Sequence, residues 1–341
     1  MELKNTLLYK KVYGALTGGV VGDAMGGPVE GWKYEKIQEK YGWIEELVTD
    51  SGWNGQYTDD TYLKNALAEH YILKKKHFTA HDVVDMWAKL DDKYLWLPEK
   101  YTFLLAAHME IDPFFTGQGN MVICGSAMAI PPVGLVNPGN PERAYAEAAS
   151  VAAINTHSYG LEGAAVLAAG IAEAMSPNAT RDSVFQAAID VAHHGTKKCL
   201  MEVYEEVKKH TNVKEAIVPV REITMRWDGR LEGTNPSTAS HHRCLEEVAA
   251  TFAMMYLCDG NVQTAIEGGV NFGQDNDSIA GMVGALAGAL YAGAGLKEHI
   301  IKQIEETNNY DAEDLALRFT ETVIEINKKD REKLASFETL V

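Results

Sequence analysis

The sequence is poor in cysteine, and none of its cysteines are spaced like a metal or redox pair. It has four among 341 residues, at positions 124, 199, 244 and 258, with no CxxC pair. Structural zinc sites and thioredoxin-like centres use closely spaced cysteines. This pattern argues against both and favours a reduced, cytoplasmic setting. The apolar stretch Val12–Val21 runs into Asp23 without a small-residue cleavage site, so we predict no secretory signal.

Positive charge is also scarce. The chain has 31 Lys and Arg residues against 48 Asp and Glu residues, which gives a formal net charge of −17. A charge of this sign repels nucleic-acid phosphates and anionic lipid surfaces. We therefore expect neither nucleic acid nor a membrane among the partners.

Long apolar runs are limited to one, Ile279–Leu296, which is long enough to be considered as a membrane span. The run is rich in Gly and Ala, and acidic residues stand directly before it. We predict a buried central helix instead. Within it, Gly281, Gly284 and Gly288 recur at helical spacing and offer a smooth face for close packing.

Strand patterns are scarce, and most of the chain is typical of helices with short breaks. Pro131–Pro141 is predicted as a loop that leads into a helix, and Asp228–His241 as an irregular stretch. No fixed-period repeat indicates a solenoid. We predict an all-α fold in one domain, residues 1–341, with about ten or more helices. The expected helices include Val12–Gly22, Asp60–Lys75, Ala80–Leu90, Pro141–Ile154, Leu161–Met175, Arg181–His193, Leu245–Cys258 and Ala312–Asn327.

Two acidic segments stand where helices are expected to begin. Thr58–Thr61 has the sequence TDDT, and Asp275–Ser278 has the sequence DNDS. Helix capping explains either segment alone, because Thr and Asp satisfy free backbone N–H groups and the helix dipole favours acids at this end.

Together the two segments favour a metal site. Each adjoins strongly apolar sequence, and buried carboxylates require cations or hydrogen-bond donors. Neither segment contains Lys or Arg. Carboxylate and hydroxyl oxygens suit Mg²⁺, Mn²⁺ or Ca²⁺ better than zinc, and four carboxylates with two hydroxyls are enough for two ions. A third segment, Gly22–Glu30, adds Asp23 as a candidate substrate contact and Glu30 as a candidate catalytic acid or base, or a solvated glutamate.

Five motifs follow one another along nearly the whole chain. They are GALTGGVVGDAMGGPVE, YTDDT, CGSAMAIPPVG, INTHSYGLEGAAVLAAGIAEAM and NFGQDNDSIAGMVGALAGAL. In this order the sequence resembles the ADP-ribosylglycohydrolase family, which includes ADP-ribosylarginine hydrolases and dinitrogenase reductase-activating glycohydrolases.

The resemblance implies an all-α fold that holds two Mg²⁺ or Mn²⁺ ions and cleaves the bond at the anomeric carbon of ribose. Asp59, Asp60 or Asp277 would serve as base, and Glu30 as the acid–base group. By position, the implied metal ligands are Thr58, Asp59, Asp60, Asp275, Asp277 and Ser278, the last in place of a commoner threonine.

The resemblance also implies substrate contacts in the middle of the chain. Many members have NGSAMR where this chain has CGSAMA, so Cys124 and Ala129 replace an Asn and an Arg, which weakens the case for diphosphate binding. His157 lines the ribose or adenine pocket or is a buried structural histidine. Trp32, Trp43 and Trp53 are candidates for base stacking or for the core. The implied phosphate loop is Gly125, Ser126, Ala127 and Met128.

Four functions remain open at this stage. The first is hydrolysis of an ADP-ribosyl group on a protein or a small molecule. The second keeps the metals and acts on small free ribosides or nucleotides. The third is a non-catalytic, crystallin-like ligand-binding relative, against which the intact acidic segments argue. The fourth is phosphoester hydrolysis at a two-metal site.

Overall fold

The computed structural model describes residues 2–50, 52–108, 111–227, 243–338 and 340. Within these ranges the regular structure is helical, without β-strands, which confirms the all-α prediction. The α-helices of the first half are α1 (Leu7–Gly26), α2 (Tyr34–Tyr41), α3 (Asp59–Lys74), α4 (Ala80–Trp87), α5 (Leu97–His108), α6 (Pro113–Thr116), α7 (Pro131–Val136), α8 (Pro141–Ala152) and α9 (Ser158–Ala174).

The second half continues the helical pattern. In the first half, short 3-10 helices also cover Leu3–Asn5, Gly27–Val29, Asp92–Tyr94 and Cys124–Ser126. The remaining α-helices are α10 (Arg181–Val191), α11 (His194–Val207), α12 (Val213–Trp227), α13 (Arg243–Leu257), α14 (Val262–Phe272), α15 (Asn276–Tyr291), α16 (Glu298–Asn308) and α17 (Ala312–Glu338). The predicted irregular stretch Asp228–His241 lies outside the described residues.

The centre of the fold is the pair α1 and α15. A β-carbon on Gly18 would lie 2.3 Å from the Gly284 carbonyl oxygen, and one on Gly288 would lie 2.0 Å from that of Gly14. The two backbones therefore touch, and no side chain fits between them. This confirms the prediction for Gly284 and Gly288. A β-carbon on Gly281, by contrast, would meet its nearest neighbour at an ordinary 3.5 Å.

A buried lysine ties the far ends of these helices together. Lys11 Nζ, on α1, donates to the carbonyl oxygens of Ala174 at 2.6 Å, Ala289 at 3.0 Å and Leu290 at 3.2 Å. These carbonyls belong to the last turns of α9 and α15, where backbone C=O groups have no hydrogen-bond donor within their own helix. Loss of solvation lowers the pKa of Lys11 to about 8.

α15 is the helix predicted from the long apolar run. Its residues are buried apart from Gly281 and Tyr291. In the described part of the chain, no helix combines the length and the apolar character that crossing a membrane requires. The prediction of a buried central helix is confirmed.

Two predicted boundaries were wrong. Pro131–Pro141 is not one loop, since α7 occupies Pro131–Val136 and buries all six of its residues. The two prolines stand in its first turn, where they cost no hydrogen bond. In addition, α1 continues past Gly22 to Gly26, so Asp23 lies in the helix and not in a loop.

Candidate active site

Both acidic segments stand at helix starts, as expected, but capping accounts for only one of them. Thr58 is the N-cap of α3, and its hydroxyl accepts from the Asp60 backbone N–H at 3.3 Å. Asp275 is the N-cap of α15, yet its side chain makes no capping hydrogen bond. The Asp275 carboxylate contacts other groups instead, and the Cys124 thiol donates to its Oδ2 at 3.1 Å.

The last turns of α1 hold the two helix starts in place. Asp23 is fully buried, and its carboxylate accepts from the Thr58 N–H at 3.0 Å and the Thr61 N–H at 2.9 Å. A β-carbon on Gly26 would lie 2.4 Å from the Asp277 α-carbon, so the start of α15 rests directly on α1. Asp23, a predicted substrate contact, thus binds the backbone at the start of α3 and does not line the cavity described next.

A backbone pairing brings Glu30 to the second acidic segment. The Gly31 N–H donates to the Gln274 carbonyl and the Gln274 N–H donates to the Trp32 carbonyl, both at 2.7 Å. Gly273 precedes this pair with a φ of 86°, where a β-carbon would lie 2.6 Å from the Tyr34 nitrogen. A glycine is thus required at the turn that sets Glu30 beside Asp275.

These elements surround a cavity of about 340 Å³. Six of the predicted metal and catalytic residues line it: Glu30, Asp59, Asp60, Asp275, Asp277 and Ser278. Thr58, the remaining predicted ligand, is not in the lining and caps α3 from beside it. The other lining residues are Gly31, Lys33, Trp96, Glu99, Met121, Ile123, Cys124, Gly125, Met128 and Gln274.

The four aspartates of this cavity lack ion-pair partners in the part of the chain that the structure describes. No Lys or Arg of the described ranges forms an ion pair with Asp59, Asp60, Asp275 or Asp277. Lys64 is buried nearby, and its ammonium group donates a hydrogen bond to the Leu16 carbonyl at 2.9 Å. Loss of solvation lowers its pKa to about 7.

Burial and crowding disfavour the charged forms of these acids. Loss of solvation, followed by repulsion among the carboxylates, raises the pKa of Asp60 and of Asp277 well above the usual range. The same loss of solvation raises the pKa of Asp59 to about 6. Asp60 Oδ1 and Asp277 Oδ1 are buried and accept no hydrogen bond from the described residues. Unpartnered carboxylate oxygens of this kind are the donor set that Mg²⁺ and Mn²⁺ prefer.

Two glutamates have a pKa near neutrality. Glu30 stands at the solvent-exposed rim, and loss of solvation with the charges of Asp275 and Asp59 raises its pKa to about 7. Glu99 is buried in the cavity lining, and loss of solvation raises its pKa to about 7. Groups with such values exchange protons readily at physiological pH.

The predicted phosphate loop only partly faces the cavity. Gly125 and Met128 line it, whereas Ser126 and Ala127 are buried and do not. The Ser126 hydroxyl accepts from the Asn155 amide at 3.5 Å instead. His157 also lies outside the lining, with its Nε2 3.1 Å from the Asn120 carbonyl oxygen.

The tryptophans proposed for base stacking lie elsewhere, and another tryptophan faces the cavity. Trp32 stacks on Tyr41 with ring centroids 6.0 Å apart, and neither Trp43 nor Trp53 lines the cavity. Trp96, which is 61% exposed, does line it.

Sequence reasoning missed two acids as well as Trp96. Glu99 follows Trp96 by three residues in a segment without a motif, so no local signal marks it. Glu247 is 2% exposed in the first turns of α13, and one of its carboxylate oxygens lies within 4.8 Å of both Cys124 Sγ and an Asp275 oxygen. The sequence did carry a signal for Glu247, because it belongs to a pair of adjacent acids, and such a pair is unusual in an apolar helix.

Two uncharacterized proteins are similar in sequence to most of this chain. An uncharacterized Escherichia coli protein, YegU, is 22% identical over 325 residues, covering 89% of this chain and 94% of the relative. An uncharacterized protein of Archaeoglobus fulgidus is 27% identical over 288 residues, covering 82% of this chain and 87% of the relative.

Structural similarity extends over the same length. A solved structure described as an ADP-ribosylglycohydrolase-related protein complex superposes with a TM-score of 0.67 at 19% identity, covering 93% of this chain and 99% of that one. At this identity the likeness shows the fold alone. The family model of the ADP-ribosylglycohydrolases matches residues 4–329. The chain therefore belongs to the ADP-ribosylglycohydrolase family, a family of glycohydrolases.

Proposed function

We propose that the protein is a metal-dependent hydrolase that cleaves the bond at the anomeric carbon of ribose in ADP-ribosylated substrates. The observation that carries the proposal is the convergence of Asp59, Asp60, Asp275 and Asp277 on one cavity, where no Lys or Arg among the described residues forms an ion pair with them. Burying this much negative charge is costly unless cations bind it. Family membership supplies the reaction class.

The cations would be two Mg²⁺ or Mn²⁺ ions. The four aspartates and the hydroxyls of Thr58 and Ser278 would hold them. When bound, such ions supply positive charge that orients ribose hydroxyls and makes water more acidic. Asp59, Asp60 or Asp277 takes the proton from the attacking water, and α1 fixes their positions through Asp23 and Gly26.

Glu30 is the proposed acid–base residue. Hydrolysis breaks the bond between the anomeric carbon and the leaving atom, adds water to the carbon and gives a proton to the leaving group. Glu30 stands at the cavity rim with a pKa of about 7. It therefore holds a proton near neutral pH and has solvent access through which to regain it.

The cavity favours a second candidate substrate, a small free riboside or nucleotide. Among the described residues, its lining has six carboxylates and one lysine, Lys33. A diphosphate binds best to several cationic or N–H donors. Since Ser126 and Ala127 do not line the cavity, the lining offers few such donors, and a substrate with fewer phosphates fits this charge balance better.

A chromatographic assay distinguishes these substrates. The purified protein is incubated with Mg²⁺ or Mn²⁺, or with EDTA, against ADP-ribosylated peptides and a panel of nucleosides and nucleotides. EDTA-sensitive release of ADP-ribose supports the leading proposal, and cleavage confined to small ribosides supports the second. Release of inorganic phosphate alone, or metal binding without any cleavage, contradicts both.

Variants test whether the acidic cavity is responsible. Asp277→Asn is expected to lower turnover by at least about a hundredfold and to weaken Mg²⁺ binding, because it removes one proposed ligand. Asp85→Asn is the matched control, since the Asp85 side chain is 67% exposed on α4. Near-wild-type turnover of Asp277→Asn contradicts the assignment.

A further inference from the structure

A sulfur-containing cluster lies beside the acidic cavity. Cys124 Sγ, one Glu247 oxygen and one Asp275 oxygen all lie within 4.8 Å of one another. The cluster joins three distant parts of the chain, namely the 3-10 helix Cys124–Ser126, the first turns of α13 and the start of α15. Asp275 is not held there by helix capping, since its side chain makes no capping hydrogen bond.

Glu247 is the unexplained member of this cluster. It is 2% exposed, and its Oε2 has no hydrogen-bond partner within the described ranges. A carboxylate oxygen that is buried and unpartnered loses its solvation without compensation. A cation placed between Glu247, Cys124 and Asp275 would compensate for that loss, because one ligand atom of each residue already lies within 4.8 Å of the other two.

The spacing agrees with a thiophilic divalent cation. In a tetrahedral zinc site, Zn–S of about 2.3 Å and Zn–O of about 2.0 Å place sulfur and oxygen ligands about 3.5 Å apart. The distance from Cys124 Sγ to Asp275 Oδ2 is 3.1 Å, so a small adjustment suffices. Cys124 and Asp275 both line the cavity, which gives an ion a path of entry and a free position for water.

We propose that Cys124, Glu247 and Asp275 form a third cation position, selective for Zn²⁺ or a similar thiophilic ion, beside the hard-oxygen cluster. It depends on the proposed function only through Asp275, whose two oxygens would serve both positions. Binding breaks the Cys124 S–H bond, the thiolate becomes the ligand, and the proton leaves to the solvent. A sulfur ligand distinguishes this position from one for Mg²⁺, which prefers oxygen.

Cobalt(II) is the probe, because a thiolate bound to Co²⁺ gives a near-ultraviolet charge-transfer band that oxygen ligands do not give. The purified full-length protein is first saturated with Mg²⁺ and then titrated with Co²⁺. We expect one equivalent of Co²⁺ to produce the band, and Zn²⁺ to abolish it by displacing the cobalt. Absence of the band in the wild-type protein overturns the proposal.

Substitutions assign the band to its ligands. Cys124→Ser removes the band, and Glu247→Gln weakens Co²⁺ binding by at least about tenfold, since one of three protein ligands is altered. The buried cysteines 199, 244 and 258, each replaced by Ser, serve as controls that keep the band. Their result assigns the thiolate by elimination even if Cys124→Ser fails to fold. Loss of the band in one of the three controls instead overturns the proposal.

Failure of this proposal is distinguishable from failure of the proposed function. Asp60→Asn alters the hard-oxygen cluster but none of the three ligands, so the band is expected to persist. Loss of the band in Asp60→Asn shows that cobalt occupies the main cluster, and the third position is then wrong. Riboside hydrolysis with Mg²⁺ but no cobalt band contradicts the third position alone, and the band without hydrolysis contradicts the proposed function alone.

Discussion

Replacing Asp59 with asparagine is expected to stabilise the metal-free protein. The folded chain raises the pKa of Asp59 from 3.8 to about 6, mainly through loss of solvation. Above pH 6 the ionised group therefore carries a cost of about 1.4 kcal/mol for each pKa unit, or roughly 3 kcal/mol in all. Because Asp59 is only half-buried, solvent screening reduces this to about 1.5 kcal/mol.

The sign of this effect follows from proton linkage. The folded chain holds the Asp59 proton to a higher pH than the unfolded chain does, so metal-free stability falls as pH rises from about 4 to about 6. Asparagine has no carboxyl group to ionise, so the variant does not lose stability in this way as the pH rises. It also removes a negative charge from the first turn of α3, which costs about 0.5 kcal/mol. The expected net gain at pH 8 is about 1 kcal/mol.

Urea unfolding at pH 8 measures this gain. In EDTA, Asp59→Asn is expected to have a higher free energy of unfolding than the wild type. With saturating Mg²⁺ the order reverses, because the wild type gains the binding free energy of the ion. Asp85→Asn, on the exposed surface, controls for loss of charge as such. If Asp59→Asn is less stable than the wild type in EDTA, the reasoning from an unneutralised carboxylate cluster is refuted.

Three further predictions test the helix pair, the buried lysine and the acid–base residue. Gly284→Val is expected to unfold the protein or to lower its free energy of unfolding by about 3 kcal/mol, because a β-carbon there would lie 2.1 Å from the Gly18 carbonyl oxygen. Gly281→Ala in the same helix is the control, and it is expected to leave the thermal stability unchanged or raised. Lys11→Met is expected to lower the free energy of unfolding in urea by about 2–3 kcal/mol, since three helix-end carbonyls lose their donor. Glu30→Gln is expected to reduce turnover about a hundredfold while elemental analysis finds the same bound metal per chain, and full activity would assign the acid–base role elsewhere.

The fold was largely predictable because its signals are local. Helical periodicity and glycine spacing identified α15 and the close contact of Gly284 and Gly288 with another backbone. What the sequence does not show is which backbone lies opposite, since Gly14 and Gly18 are about 270 residues away in the chain. The extension of α1 through Asp23 was missed because glycines surround it and weaken the helical pattern.

The candidate site was predictable where chemistry is concentrated in short motifs. TDDT and DNDS supply four of the six acids that line the cavity. Glu99 and Trp96 line it from a segment without a motif, and Glu247 on α13 lies close to two lining residues, Cys124 and Asp275. Only the packing of the fold brings these residues together. Trp32, a candidate for base stacking or for the core, stacks on Tyr41 and does not line the cavity, since nearness in sequence to the acidic segments does not place a ring there.

Metal-dependent release of ADP-ribose tests the central claim most directly. The protein is dialysed against EDTA, incubated with an ADP-ribosylated peptide, and assayed before and after Mg²⁺ or Mn²⁺ is restored. The account predicts no release from the metal-free protein and recovery of release when either ion is added. Equal release in EDTA and in Mg²⁺ would contradict a mechanism that depends on ions held by Asp59, Asp60, Asp275 and Asp277.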